Sequence, residues 1–195
     1  MDNKTFLFAS GNKGKLKEVR SVAKDFGVTV VAPNDLEKDT QPPNVDESAS
    51  SYAGNAKLKA EAFASWAGMP AFSDDTGLEV DALGGAPGVY SARYAGESCK
   101  MEDNIDKLLH ALENEDNRSA KFCCTICAYE KGKTELYTAE LKGKIAKERS
   151  GNGGFGYDSV FIVDGFNKSL AQIKEEGLPI KTHRVLALEK FFKSL

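Results

Sequence analysis

The first thirty residues constrain the fold more tightly than any other part of the chain. Thr5 to Ala9 is a short apolar run of strand length. It breaks at Ser10-Gly11-Asn12-Lys13-Gly14-Lys15. From about Lys15 to Phe26, Leu16, Val19, Ala23 and Phe26 recur at helical spacing. Gly27 stops that helix, and Thr29 to Ala32 is a second extended run. The chain therefore opens β-α-β, and its remaining elements have to fit an α/β architecture.

Pro33 to Ser50 reads as polar loop, and Ser51 to Ala67 as a helix with Tyr52, Ala56, Ala60, Phe63 and Ala67 on one stripe. Ala71 to Asp74 is expected to be a short strand that stops in a turn, with Leu78 to Asp81 extended again. Gly84 to Gly96 reads as loop and Lys100 to Leu112 as helix. Lys121 to Tyr129 and Thr134 to Lys142 flank Glu130-Lys131-Gly132-Lys133 as a hairpin. Gly151 to Gly156 is a second glycine-rich loop ahead of the strand Val160 to Val163, and a helix runs from His183 to Lys193 behind Thr182. With no internal repeat and no linker, residues 1–195 read as one α/β domain with two lobes.

Composition narrows the function. Hydrophobic residues at 41% and charged residues at 28% describe an ordinary globular chain. A net charge of −3 and the lack of any polybasic run exclude broad nucleic-acid binding. The apolar runs are far too short for a bilayer, so no membrane association is expected. The N-terminus enters a strand directly without a signal peptide, which points to the cytoplasm. Cys124 and Cys127 have metal-like spacing, but no second pair accompanies them, and buried strand cysteines act as small apolar residues.

Five groups of residues carry chemistry. Ser10, Gly11, Asn12, Lys13, Gly14 and Lys15 lie between strand and helix, where backbone N–H groups and lysines suit a phosphate chain, although the spacing is not that of a Walker loop. Lys59 sits on the apolar stripe of its helix with Asn55 four residues earlier, so it must snorkel or meet an anion, and the Asn/Lys pair also suits phosphate. Asp74 and Asp75, in Ser73-Asp74-Asp75-Thr76-Gly77, repel each other unless a hard cation such as Mg²⁺ intervenes, and Glu47 offers a further ligand. In Gly151-Asn152-Gly153-Gly154-Phe155-Gly156-Tyr157-Asp158, glycines permit close backbone approach, Phe155 offers a face for a base and Asp158 an acceptor. His183 and Arg184 place two cations at a helix start, where the dipole disfavours them, and their donors suit a purine 6-keto oxygen. The acid pair is expected to face the glycine-lysine turn closely enough for one magnesium-bound triphosphate to touch both.

In order along the chain, Ser10-Gly11-Asn12-Lys13-Gly14-Lys15, Asn55-Ala56-Lys57-Leu58-Lys59-Ala60, Ser73-Asp74-Asp75-Thr76-Gly77-Leu78, Gly84-Gly85-Ala86-Pro87-Gly88-Val89-Tyr90-Ser91-Ala92-Arg93-Tyr94, Gly153-Gly154-Phe155-Gly156-Tyr157-Asp158 and His183-Arg184 resemble the inosine/xanthosine triphosphate pyrophosphatases. The resemblance covers nearly the whole chain. It implies two lobes around a long mixed β-sheet with a central substrate cleft, a homodimer, and Mg²⁺-dependent hydrolysis of ITP, dITP and XTP to monophosphate and pyrophosphate. It gives Asp75 the catalytic and metal-binding role, Thr76 a place near the phosphates, Glu47 the auxiliary metal role, Ser10 to Lys15 and Lys59 the triphosphate, and Phe155, Gly156, Tyr157, Asp158, His183 and Arg184 the base. Two departures stand out. Gly54 occupies a position where the family carries an acid, and the family lysine ahead of His183 is missing, leaving Lys174 or Lys181 to take its role. The competing readings are a pyrophosphatase for modified pyrimidine nucleotides, a non-catalytic nucleotide-binding module, and an aspartic protease built on Asp75-Thr76-Gly77. The last needs two such aspartates sharing one proton, and the tripeptide occurs once in the chain, so only a symmetric dimer could supply the second.

Overall fold

The structure, a computed structural model, describes residues 4–195. Its elements run β1 (Thr5–Phe8), α1 (Lys13–Asp25), β2 (Thr29–Val31), α2 (Tyr52–Ala67), β3 (Ala71–Val80), β4 (Pro87–Gly88), α3 (Met101–Ala111), β5 (Ser119–Glu130), β6 (Lys133–Ile145), β7 (Phe161–Val163), α4 (Leu170–Glu175) and α5 (His183–Lys193). The strands form a mixed seven-stranded sheet of order β2-β1-β3-β5-β6-β7, with β4 on β3. β1 is parallel to both β2 and β3, and β7 is antiparallel to β6. The α/β class expected from the opening β-α-β is the class observed. Among the described residues no helix is long and apolar enough to cross a membrane.

The chain divides into two compact units. The first holds residues 4–75, 124–139 and 183–195, and the second holds 76–123 and 140–182. In the first unit the two-residue period of the strands sorts side chains onto two faces. Phe6, Phe8, Phe72, Cys124 and Ile126 pack with Val19, Val22 and Ala23 of α1 and with Ala187, Leu188, Phe191 and Phe192 of α5. The alternate residues Leu7, Ala9 and Ala71 pack with Phe63 and Ala64 of α2, and Cys127 packs with Ala56 and Ala60. Each buried phenylalanine here contributes about 1.5–3 kcal/mol of transfer free energy. The second unit has its own core of Leu78, Val80, Ile105, Leu108, Phe122, Phe161, Leu170 and Ile173, among others.

The segment Ser73 to Gly77 is not a turn. It lies inside the ten-residue strand β3. Asp, Thr and Gly favour turns, but here Ser73, Asp74 and Asp75 are buried and their polar atoms have partners on the flanking helices. Helix α1 begins two residues earlier than its apolar pattern suggests, because the Asn12 side chain accepts from the Lys15 N–H at 3.0 Å and caps it there. Lys13, Gly14 and Lys15 thus form its first turn. The short helix α4 has no apolar period long enough to announce it in the sequence. β5 and β6 extend the expected hairpin at both ends, turning at Lys131 and Gly132, both with positive φ. Ser51 caps α2 by accepting from the Gly54 N–H at 3.1 Å, and Gly68 ends it in the left-handed conformation.

Candidate active site

Successive residues of β3 point to opposite faces of the sheet, and this separates the two aspartates. Asp74 lies on the α1 and α5 face. Its Oδ2 is 2.9 Å from Lys15 Nζ and accepts from Arg184 Nε at 3.0 Å. Arg184 also donates through Nη1 to Glu18 Oε2 at 2.6 Å. Asp74 and Arg184 are each only 2% exposed. Burial alone would raise the Asp74 pKa, but Lys15, Arg184 and Lys59 together outweigh it and hold the carboxyl far below the usual range. Arg184 is likewise kept charged against the cost of burial by Asp74, with Cys124 and Glu18 adding to it. His183 and Arg184 at the start of α5 are therefore not solvated residues beside a cap. His183 is buried as well, and the Arg184 charge is matched by two acids.

Asp75 lies on the α2 face with Ser73. Asn55 Nδ2 donates to Asp75 Oδ2 at 3.1 Å, and Ser73 Oγ donates to the Ala56 carbonyl at 2.5 Å. Lys59 Nζ is 2.6 Å from Glu47 Oε2 and 3.9 Å from Asp75 Oδ1. Burial raises the Asp75 pKa above the ordinary carboxylate value, and nearby Glu47 adds to this. Lys59, Asn55 and Lys15 pull the other way without cancelling it. Lys59 thus meets an anion from inside the protein. Asn55, expected to pair with Lys59 toward phosphate, is 1% exposed and already spends its amide on Asp75 and on the Ala49 N–H, 2.9 Å from its Oδ1.

These contacts bear on the metal. The sequence suggests that Asp74 and Asp75 share one cation with Glu47. Asp74 instead faces away from Asp75, toward Lys15 and Arg184. Among the described residues no cluster of three or more His, Cys, Asp or Glu side chains is placed to hold a metal. Asp75 and Glu47 do converge on one positive charge, the Lys59 ammonium. Two carboxylates that share a cation, with ligand oxygens and water left to complete the shell, form a donor set that fits magnesium better than an all-protein cage does.

The glycine-rich loop belongs to the second unit. Three of its glycines, Gly151, Gly153 and Gly154, lie where a side chain would collide with the protein itself. A Cβ on Gly151 would come within 2.6 Å of the Gln172 nitrogen, and one on Gly153 within 2.4 Å of the Ala171 carbonyl, so these two let the loop lie on α4. A Cβ on Gly154 would meet Asp158 Oδ2 at 2.1 Å. That oxygen accepts from the Phe155 N–H at 2.9 Å and from Lys174 Nζ at 2.8 Å. Lys174 also lies over the Phe155 ring, 5.3 Å from its centroid. Of the two lysines considered for the missing family lysine, Lys174 stands at this loop, while Lys181 is exposed ahead of α5. Phe155 presents an exposed face, whereas Tyr157 is buried with its hydroxyl donating to the Ser91 carbonyl at 2.8 Å. Thr76 and Gly156 lie in this unit too, Thr76 half-buried in β3 and Gly156 with φ of 66°.

Ser10, Asn12, Lys13 and Lys15 come together at the first turn of α1, with the Asn12 N–H donating to Ser10 Oγ at 3.2 Å. Glu18 is absent from the candidate residues of the sequence. Its spacing of three from Lys15, on the same helix face, is the signal that could have found it. The Gly54 departure has a steric account: a Cβ there would stand 2.6 Å from Ala49 Cβ, so an acid at this position is incompatible with the way segment 47–51 rests on α2. The cysteines are free, and burial pushes the Cys123 and Cys127 thiols up to about 12, as in small apolar strand residues.

Known proteins resemble this chain over nearly its whole length. The Ham1 family profile matches residues 6–194. A dITP/XTP pyrophosphatase of Flavobacterium johnsoniae is 41% identical over 189 residues, covering 97% of this chain and 96% of that protein. One from Salmonella typhimurium is 39% identical, with the same shares covered. Among solved structures, the Staphylococcus aureus Ham1 protein aligns with a TM-score of 0.84 at 37% identity over 98% of this chain and 97% of its own. A HAM1 protein from Coxiella burnetii aligns with a TM-score of 0.87 at 33% identity over 98% of both chains. By profile, sequence and fold together, this chain belongs to the Ham1 family.

Proposed function

We propose that this protein hydrolyses ITP, dITP and XTP to the nucleoside monophosphate and pyrophosphate, removing them from the nucleotide pool. The observation that carries the reading is the buried Asp75 carboxylate, set beside Glu47 and Lys59 one residue from the Asp74 that Lys15 grips. Full-length relatives named dITP/XTP pyrophosphatase supply the substrate class. The paired aspartates of β3 speak against a sensing module, which needs no hydrolytic carboxylate.

The triphosphate is assigned to the first turn of α1, where Ser10, Gly11, Asn12, Lys13, Gly14 and Lys15 offer N–H donors and positive charge, and to Lys59. A Cβ on Gly11 would meet nothing within 4 Å, so the protein's own packing does not require glycine there, and a ligand lying against the backbone gives it a reason. A divalent cation, which we take to be Mg²⁺, would be held by Asp75 and Glu47 and would neutralise charge on the phosphate oxygens. Asp75 is the group we assign to accept a proton from the water. The water oxygen bonds to the α-phosphorus and its proton passes to Asp75. The bond from that phosphorus to the α–β bridging oxygen breaks, and pyrophosphate leaves with the bridging oxygen. Lys15 and Lys59 balance the charge of the leaving group. Base recognition is assigned to Phe155, Gly156, Tyr157 and Asp158, with Lys174 beside them, and to His183 and Arg184, with Thr76 near the phosphates. Free cysteines support a reducing, cytoplasmic location, and a homodimer is the expected assembly.

The test is a panel of purine and pyrimidine nucleoside triphosphates, including modified pyrimidines, with Mg²⁺, identifying both products. Monophosphate and pyrophosphate from ITP and XTP well ahead of the rest is the expected result. Stepwise release of orthophosphate, or a preference for modified pyrimidines, would defeat the assignment.

A further inference from the structure

The segment before α2 has no regular secondary structure from residue 41 to 50, yet it carries Glu47. Val45 packs on the cluster of Leu7, Phe63 and Ala71, and polar contacts hold the rest toward α2. Glu47 Oε2 is 2.6 Å from Lys59 Nζ, one turn and more along α2. Two residues after Glu47, the Ala49 N–H donates to Asn55 Oδ1 at 2.9 Å. The other end of the same amide donates through Nδ2 to Asp75 Oδ2 at 3.1 Å. One buried side chain thus spans from the backbone of the Glu47 segment to the Asp75 carboxylate. Beside it, Gly54 leaves the space into which Ala49 settles, since a Cβ there would stand 2.6 Å from Ala49 Cβ and 3.2 Å from Ser51 Oγ.

We infer that Gly54 and Asn55 are a pair of positioning residues that fix Glu47 relative to Asp75. Asn55 supplies the bridge, and Gly54 removes the obstacle that would hold the bridge open. Gly54 gives no helical advantage. Glycine in the first turn of a helix costs entropy relative to alanine, and its φ lies outside the left-handed region. The local cost is offset by the seating of the segment that brings the second carboxylate to the first. This deepens the metal-dependent reading above and rests on it for its meaning, though its structural half is measurable without substrate or metal.

Gly54→Ala separates this role from a merely structural one. Alanine is the better helix former, so a glycine with only a local role should tolerate the change and the melting temperature should not fall. The inference expects the helix gain to be cancelled by the lost seating, so that the melting temperature does not rise, with faster amide hydrogen exchange in the peptide covering 44–51 of the metal-free protein, and Mn²⁺ binding, followed by electron paramagnetic resonance, weakened about 10-fold, the scale of lost outer-shell support. Adding Ala49→Gly removes the collision, and the double variant should recover most of both losses. Asn55→Ala, which deletes the acceptor of the Ala49 amide, should speed exchange in the same peptide. Natural exchange and Mn²⁺ affinity in Gly54→Ala, or no recovery in the double variant, overturns the pair. If the natural protein releases no pyrophosphate from purine triphosphates, the hydrolase reading fails instead, while the exchange result still decides the seating of the segment.

Discussion

The two faces of β3 carry the same acid one residue apart and treat it in opposite ways. On one face Asp74 is clamped by Lys15 and Arg184 and held ionised against the cost of burial. On the other, Asp75 has an amide and a more distant ammonium for company, and burial prevails. Chemically identical side chains thus divide the labour. The first anchors α1 and α5 to the sheet, and the second is the one to which the proposed mechanism gives the proton. Adjacent acids in a turn would share one environment, whereas in a strand the pleat separates them.

The largest expected effect tests that division at Asp75. Asp75→Asn keeps the shape and the Asn55 contact distance but removes the proton acceptor and a cation ligand. Turnover of ITP, measured as pyrophosphate release, should fall by about 10²–10⁴-fold, the usual worth of a positioned acid or base, with the circular dichroism spectrum unchanged. Turnover within a few-fold of the natural protein would put the reactive carboxylate elsewhere.

Asp74→Asn should act first on stability. It leaves Arg184 and Lys15 facing a neutral amide, with Glu18 as a counter-charge for Arg184. Breaking a buried pair of this kind costs about 3–5 kcal/mol, visible as a lower urea midpoint at neutral pH. A loss under about 1 kcal/mol, the worth of an exposed pair, would mean that water reaches the site and that Asp74 is no anchor.

The two acids should also respond to pH with opposite signs. The depressed Asp74 contributes stability that is present above the unfolded carboxyl value of about 3.9 and is lost as pH falls. The raised Asp75 makes the folded protein bind a proton more tightly than the unfolded chain does, so its contribution favours folding when protonated and is lost as pH rises through its folded pKa. At neutral pH, without metal, Asp75→Asn should therefore stabilise the protein while Asp74→Asn destabilises it. Denaturation of both at pH 7 decides this, and effects of the same sign would erase the contrast.

How much of this is legible in the sequence depends on what each signal measures. The opening β-α-β, the long helices and the hairpin are legible because apolar period reports burial directly. That Lys15, Lys59, Asp74, Asp75 and Arg184 are charges set among apolar neighbours and in need of partners is legible too. Their pairing is not. Whether Arg184 faces a base or an acid depends on Glu18 and Asp74, 166 and 110 residues away, and no local pattern encodes that. The turn reading of Ser73 to Gly77 fails for a related reason. Turn propensity measures what isolated polar residues prefer, and here α1, α2 and α5 satisfy them in an extended chain. Nor does the sequence say what Gly151 and Gly153 approach, because a close approach to α4 looks the same in sequence as a close approach to a ligand.

Ser73 sets the lower end of the scale on the Asp75 face. Its hydroxyl is fully buried and donates to the Ala56 carbonyl of α2 at 2.5 Å. That carbonyl lies inside a helix, so it keeps a backbone partner when the hydroxyl is removed, and no buried acceptor is orphaned. Ser73→Ala should therefore cost only about 1 kcal/mol, the net worth of one neutral hydrogen bond, and leave turnover close to natural. A combined urea and pyrophosphate-release measurement reads both. If turnover fell with stability, the hydroxyl would be setting the approach of α2, and with it Asn55 and Lys59, to Asp75. The contrast between the faces would then rest on strand-to-helix spacing as much as on which charges lie nearby.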